Sequence, residues 1–270
     1  GGYLLKQGDG SGMKGSMQWL KLIAEGYVKE WSNYYHDEEM LDRFAAAMDF
    51  VCLAQGTNGL LMENRHYSKD EYPGGGFQGW PRWVGAPDRR NGKGIFSNGQ
   101  KYLWPAYLLM HEALEKHGYL EKPFPHDLDP TLAGKPRRGA YAEMARRSLG
   151  ALQRLVRSRQ IANQVLHNFV PYLRTYKALL HLDPEEPRKL ESRIREDAEI
   201  AVGLRKHPKV DVYMQSPAGI ANEFGWSGNY GAQHPEQMTQ VAELMTWRPV
   251  IEKTREAFQA RAHFFFLSND

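Results

Sequence analysis

Six side chains able to bind a polar ligand or move a proton fall within thirteen residues of SPAGIANEFGWSGNYGAQHPE: Asn222, Glu223, Trp226, Asn229, Tyr230 and His234. Gly225, Gly228 and Gly231 surround the tyrosine, and backbone without a Cβ can turn sharply or approach a ligand closely. Such a set suits a sugar: rings stack on aromatic faces, amides hold hydroxyls and carboxylates, and a phenol passes a proton. The plainer alternative is a polar loop between helices with one packed tryptophan. A second constellation lies upstream in SRQIANQVLHNFVPYLRTYKALL. Asn163 and His167 are four apart and share a helix face, while Asn168 is turned about 100° away. Arg174 and Lys177 add polar groups further round. Here the plainer alternative is a helix-end amide and a satisfied buried histidine.

Other chemistries find less support. Ten histidines include no HExxH, no HxH and no CxxC partner, so no metal site is expected. PGGGFQGW lacks the Lys-Ser/Thr ending of a phosphate loop, and no GxSxG nucleophile elbow occurs. No cofactor is implied. The single cysteine, Cys52, lies in the apolar run MDFVCLAQ and leaves no internal disulfide. A formal charge of +3 gives weak support for an acidic partner, and no basic stripe points to nucleic acid. No run reaches the roughly 18–20 apolar residues that cross a bilayer, so no membrane span is expected.

The elements that must position these groups read as helices. Apolar residues recur at three and four over 17–31, 37–55, 101–118, 140–159, 161–182, 187–207, 235–247 and 249–264. The acidic runs DEEM and DPEEP fall at helix starts, where carboxylates favour the dipole, and Gly118 fits a C-terminal cap. Pro235 and Pro249 suit first-turn positions, where a missing N–H costs little. Strand-like character appears only in the final HFFFLSND. Residues 63–99 form a long Gly/Pro/aromatic connection with Tyr72, Phe77, Trp80 and Trp83, and 119–139 a second, proline-rich one. The chain is expected to be all-α, with helical hairpins packed as a curved solenoid or a complete or incomplete toroid.

GWSGNYG before a helix, preceded by AGIANEF, resembles the catalytic tyrosine segment of the helical-toroid polysaccharide lyases. These are the hyaluronate and chondroitin lyases and the heparinase-type and alginate lyases of related architecture. NQVLHNFVPYLRTYKALLHLDP is similar to the asparagine helix of that family. The likeness covers roughly residues 160–270. It implies an (α/α) toroid catalytic domain over 1–262, with 263–270 leading into a linker or β-sandwich that this chain does not contain. It also implies a secreted or periplasmic enzyme; the chain opens on Gly1, consistent with removal of a leader. The family's histidine, usually about nine residues before the tyrosine, falls here at Ala221.

The implied reaction is β-elimination on a uronate-containing acidic polysaccharide, such as a glycosaminoglycan. Asn163, or alternatively Asn168, neutralises the uronate carboxylate and stabilises the developing enolate. His167, or Tyr230 as tyrosinate, takes the proton at C5, with Asn222 or Glu223 as the nearest stand-in for the absent histidine. Tyr230 then protonates the leaving oxygen. Trp80, Trp83, Trp226, Asn229, Asn222 and His234 line the substrate path, with Arg82, Arg89 and Arg174 attracting its charge. Two alternatives stand beside this. A toroidal glycoside hydrolase would pair Glu223 with Glu63 or Asp88, and a non-catalytic scaffold would bind a glycan or partner through the aromatic loop.

Overall fold

The computed structural model describes residues 12–56, 59–61, 98–223 and 228–266, which form helices joined by turns, with no strand among them. In order these are α1 (Gly12–Val28), α2 (Glu38–Ala54), α3 (Asn98–Lys116), α4 (Arg137–Ser158), α5 (Ala162–Leu182), α6 (Glu185–Arg188), α7 (Glu191–Ala201), α8 (Gly228–Met245) and α9 (Arg248–Phe266). The all-α expectation holds. Among the described residues no helix is long and apolar enough to cross a membrane.

Local signals explain the best-placed ends. Asp37 caps α2 by accepting the Met40 N–H at 3.1 Å, with Glu38 and Glu39 in the first turn. Gly118, at φ 69°, closes the end of α3 in the left-handed region. Pro105 and Pro171 lie inside α3 and α5, where each removes one backbone hydrogen bond. Each of these helices buries an apolar face: Leu103, Tyr107, Met110 and Leu114 on α3, and Val165, Leu166, Phe169 and Leu173 on α5.

Residues form two compact units, Gly1–Ala151 with Arg174–Glu185, and Leu152–Leu173 with Glu186–Asp270. In the first, α1 packs on α3 and α2. Its core contains a carboxylate, Asp49, which receives the Arg137 guanidinium through Nε at 3.0 Å and Nη2 at 2.7 Å, and the Tyr141 hydroxyl at 2.9 Å. In the second, α8 packs on α9 across a two-residue turn. Its core also contains a carboxylate. Asp197 receives Arg157 Nε at 2.7 Å, Gln153 Nε2 at 2.9 Å and the Tyr172 hydroxyl at 3.3 Å. Each buried acid is thus paired and hydrogen-bonded, which is the condition for keeping a charge out of water.

Four boundaries differ from the sequence reading. The helix expected over 17–31 runs from Gly12 to Val28, and 29–36 is a turn. The segment 187–207 is split, ending at Ala201, because Gly203 turns at φ 77° with its α-carbon too close to Gln215 for a side chain. Helix α8 starts at Gly228, so Pro235 is inside it and not in its first turn. Residues His263–Phe266 continue α9, so this part of HFFFLSND is helix and not a lead-in to strand.

Candidate functional site

Parts of the two constellations meet in the second unit, Asn163 from one and Asn222 and Glu223 from the other. Helix α5 begins after Gln160 and Ile161, neither of which can cap it, so its first N–H groups need acceptors from elsewhere. The segment ahead of α8 supplies them. The Asn222 carbonyl accepts the Ala162 N–H at 2.9 Å, and Glu223 Oε1 accepts the Asn163 N–H at 2.6 Å. From α8, Gln237 Nε2 donates to Asn163 Oδ1 at 3.3 Å. The start of the asparagine helix is therefore held on one side by residues 222–223 and on another by α8.

That segment is itself fixed by a tight loop. Asn222 N–H bonds the Met214 carbonyl at 2.9 Å, Ser216 N–H bonds Ile220 at 2.9 Å, and Gln215 bridges to Ala221. Gly219 turns the loop at φ 80°, pressed so closely on α9 that a Cβ would overlap the Glu256 carbonyl. Only glycine fits there.

Asn163 is 8% exposed. Its oxygen accepts from Gln237, and among the described residues no acceptor takes the two N–H donors of its amide, which are the groups a carboxylate would meet. Asn168 is different. It is fully buried, and its Nδ2 donates to the Gln164 carbonyl at 2.7 Å within its own helix. Between the two asparagines left open by the sequence, the arrangement favours Asn163. His167 follows Asn163 by one turn and is half-buried.

Three sequence candidates have structural duties. Asn222 and Glu223 cap α5, and burial raises the Glu223 pKa above the usual carboxylate range while the Asn163 N–H holds it down. His234, expected on the substrate path, is 2% exposed and cannot face a bound chain in this arrangement. Its Nε2 meets Gln215 Oε1 at 2.9 Å. Since the Gln215 amide nitrogen donates to the Lys253 carbonyl, its oxygen must be the acceptor, and His234 carries its proton on Nε2. Burial lowers the His234 pKa to about 4, so the ring is neutral at pH 7.

Asn229 and Tyr230 are the second and third residues of α8, not loop residues ahead of it. Trp226, Trp80, Trp83, Arg82 and Arg89 lie outside the described residues, as do Glu63 and Asp88. Arg174 belongs to the first unit and is half-buried. Sequence reasoning missed Gln237 and Gln215. Gln237 was within reach of it: seven residues after Tyr230, it lies two turns along the same face. Gln215 acts through a loop contact that no periodicity reports.

A cleft of about 470 Å³ in the same unit is lined by Arg188, Glu191, Ser192, Arg195, Glu196, Glu199 and Arg205. Three arginines face three glutamates, and Arg205 is tied to Glu199 at 2.6 Å, so the cleft has no net charge to gather a polyanion. Among the described residues no group of three or more His, Cys, Asp or Glu side chains is placed to hold a metal ion. In comparisons with known proteins, no family model, curated protein or solved structure matches the chain.

Proposed function

We propose that the chain is the helical-toroid domain of a polysaccharide lyase that cleaves a uronate-containing acidic polymer by β-elimination. The supporting observation is the junction of Asn163 with Glu223, 60 residues later in sequence, at the approach to the helix that carries Tyr230. A neutral amide that donates its N–H groups is what a uronate carboxylate needs if the C5 hydrogen beside it is to become acidic.

In this reading Asn163 binds the carboxylate, and His167, or Tyr230 as tyrosinate, takes the C5 proton. The electron pair of the broken C–H bond forms the C4–C5 double bond as the C4–O bond breaks. Tyr230 delivers a proton to the departing oxygen. An unperturbed phenol, with a pKa of about 10, holds its proton at neutral pH and suits that acid step without adjustment. This reading places the enzyme in a secreted or periplasmic setting. The hydrolase alternative is weakened because Glu223 already serves α5 as a cap.

The test is ultraviolet absorbance during incubation with a panel of uronate polymers, since elimination leaves a conjugated double bond. One or more polymers gain absorbance with the native chain, and Tyr230→Phe abolishes the gain while retaining binding. Unchanged turnover in Tyr230→Phe contradicts the mechanism.

A further inference from the structure

The turn 29–36, between α1 and α2, exposes large aromatic rings on a backbone that leaves them little freedom. Trp31 is 83% exposed, Tyr34 52% and Tyr35 41%. Ser32 N–H bonds the Lys29 carbonyl at 2.9 Å, Tyr34 N–H bonds Ser32 Oγ at 3.1 Å, and His36 N–H bonds the Tyr27 carbonyl at 3.0 Å. His36 has φ 55°, a conformation that costs a non-glycine residue free energy and persists only where its surroundings enforce it. Its ring lies 4.0 Å from that of Tyr35 at 20°, and 5.3 Å from the buried Tyr27. The Tyr35 ring is thus held against His36, which also meets the buried Tyr27.

We infer that this turn is a stacking platform for neutral pyranose units of a glycan. Three observations choose that occupant. The first is size: rings of these types at these exposures present roughly 400 Å². A stable protein interface buries about 800 Å² per partner, so this surface is about half of what a protein needs. A sugar ring needs far less. Its C–H bonds carry partial positive charge and meet the electron-rich ring face.

The second is the setting of the rings. Exposed Lys29, Glu30, Asn33 and Glu38 stand between and beside them, supplying hydrogen-bond partners for equatorial hydroxyls. The third is charge. Over residues 29–39 one lysine stands against four carboxylates, of which Glu39 is paired with Arg43. A uronate would be repelled there, and an uncharged sugar would not. The platform therefore holds a different unit from the one whose carboxylate Asn163 binds, and it stands whether or not the chain cleaves its ligand.

The experiment is calorimetric titration of the full chain with neutral β-1,4-linked hexasaccharides of glucose, mannose and xylose, and with a hexauronate. At least one neutral hexasaccharide binds through this platform. Trp31→Ala weakens that binding by at least about tenfold with the melting temperature unchanged, because the ring is almost wholly in solvent, and Tyr230→Phe leaves it intact. The inference is overturned if no neutral hexasaccharide binds, or if Trp31→Ala binds one as the native chain does. It is also overturned if sedimentation shows a dimer that Trp31→Ala dissolves, since the platform would then serve a second copy.

Discussion

His234 shows how a single side chain can be read two ways until its neighbours are known. Its place in a stretch of amide, carboxylate and phenol groups suggested a sugar-binding imidazole, yet it lies on the buried side of α8, bonded to Gln215. The consequence is a pH dependence. The ring titrates near 6.5 in the open chain and near 4 in the fold, so between those values the unfolded state binds the extra proton. Stability is complete above pH 6.5 and falls as pH drops towards 4, by about 3 kcal/mol from this group. Burial lowers the pKa of His207 and His181 as well, and both act with the same sign. Urea midpoints are expected to decline from pH 7 to pH 4.5, and less steeply in His234→Gln. Identical slopes would show that the ring takes its proton as readily in the fold as in the open chain. Glu223 offers a second test at this scale. As a cap it needs only an acceptor oxygen, so Glu223→Gln keeps activity within a few-fold, whereas Glu223→Ala costs about 1 kcal/mol. Abolished cleavage in the Gln variant would restore its carboxylate to the chemistry.

At the scale of elements, the start of α5 depends on a loop distant in sequence. Gly219 lets that loop lie against α9, and Gly219→Ala must move the loop or strain it. The variant is expected to lose both stability and the Asn163 geometry, read as a lower melting temperature together with a lower kcat on any polymer cleaved. A lower melting temperature with kcat intact would separate the loop from the site. These elements also show which features the sequence exposes. Helix α5 was legible almost to the residue because its apolar face is continuous and Asn163 and His167 share a face by spacing alone. The start of α8 was not, because Gly228 and Gly231 are poor helix formers and Pro235 looks like a first-turn residue. Docking of the helix, which a window of sequence does not contain, overrides those preferences. The same holds for turn 29–36, where Trp31 fits a helical period but the chain leaves the helix at Val28. The pairing of residues 222–223 with α5 arises from unsatisfied N–H groups 60 residues away, which only the folded chain reveals.

On the scale of the whole molecule, a buried acid in each unit, Asp49 in the first and Asp197 in the second, is clamped by an arginine of α4 and a tyrosine. Removing one partner strands the others, at a cost of several kcal/mol. Arg137 is 13% exposed, whereas Arg157 is 33% exposed and also reaches Glu196 at 3.2 Å. Asp49→Ala is therefore expected to cost about 4 kcal/mol and Asp197→Ala about 3 kcal/mol, the more solvated arginine being easier to leave alone. Hydrogen exchange should report faster opening in the first unit for Asp49→Ala and in the second for Asp197→Ala. Equal loss everywhere would mean that the clamps do not belong to separate units. The central claim concerns the bond that is broken, and one measurement addresses it. Cleavage of a uronate polymer in water enriched in the heavy oxygen isotope, followed by product mass, should give fragments that carry no heavy oxygen and sum to the parent chain. Heavy oxygen at the new ends, with one water added per cut, would make the chain a hydrolase and contradict the account.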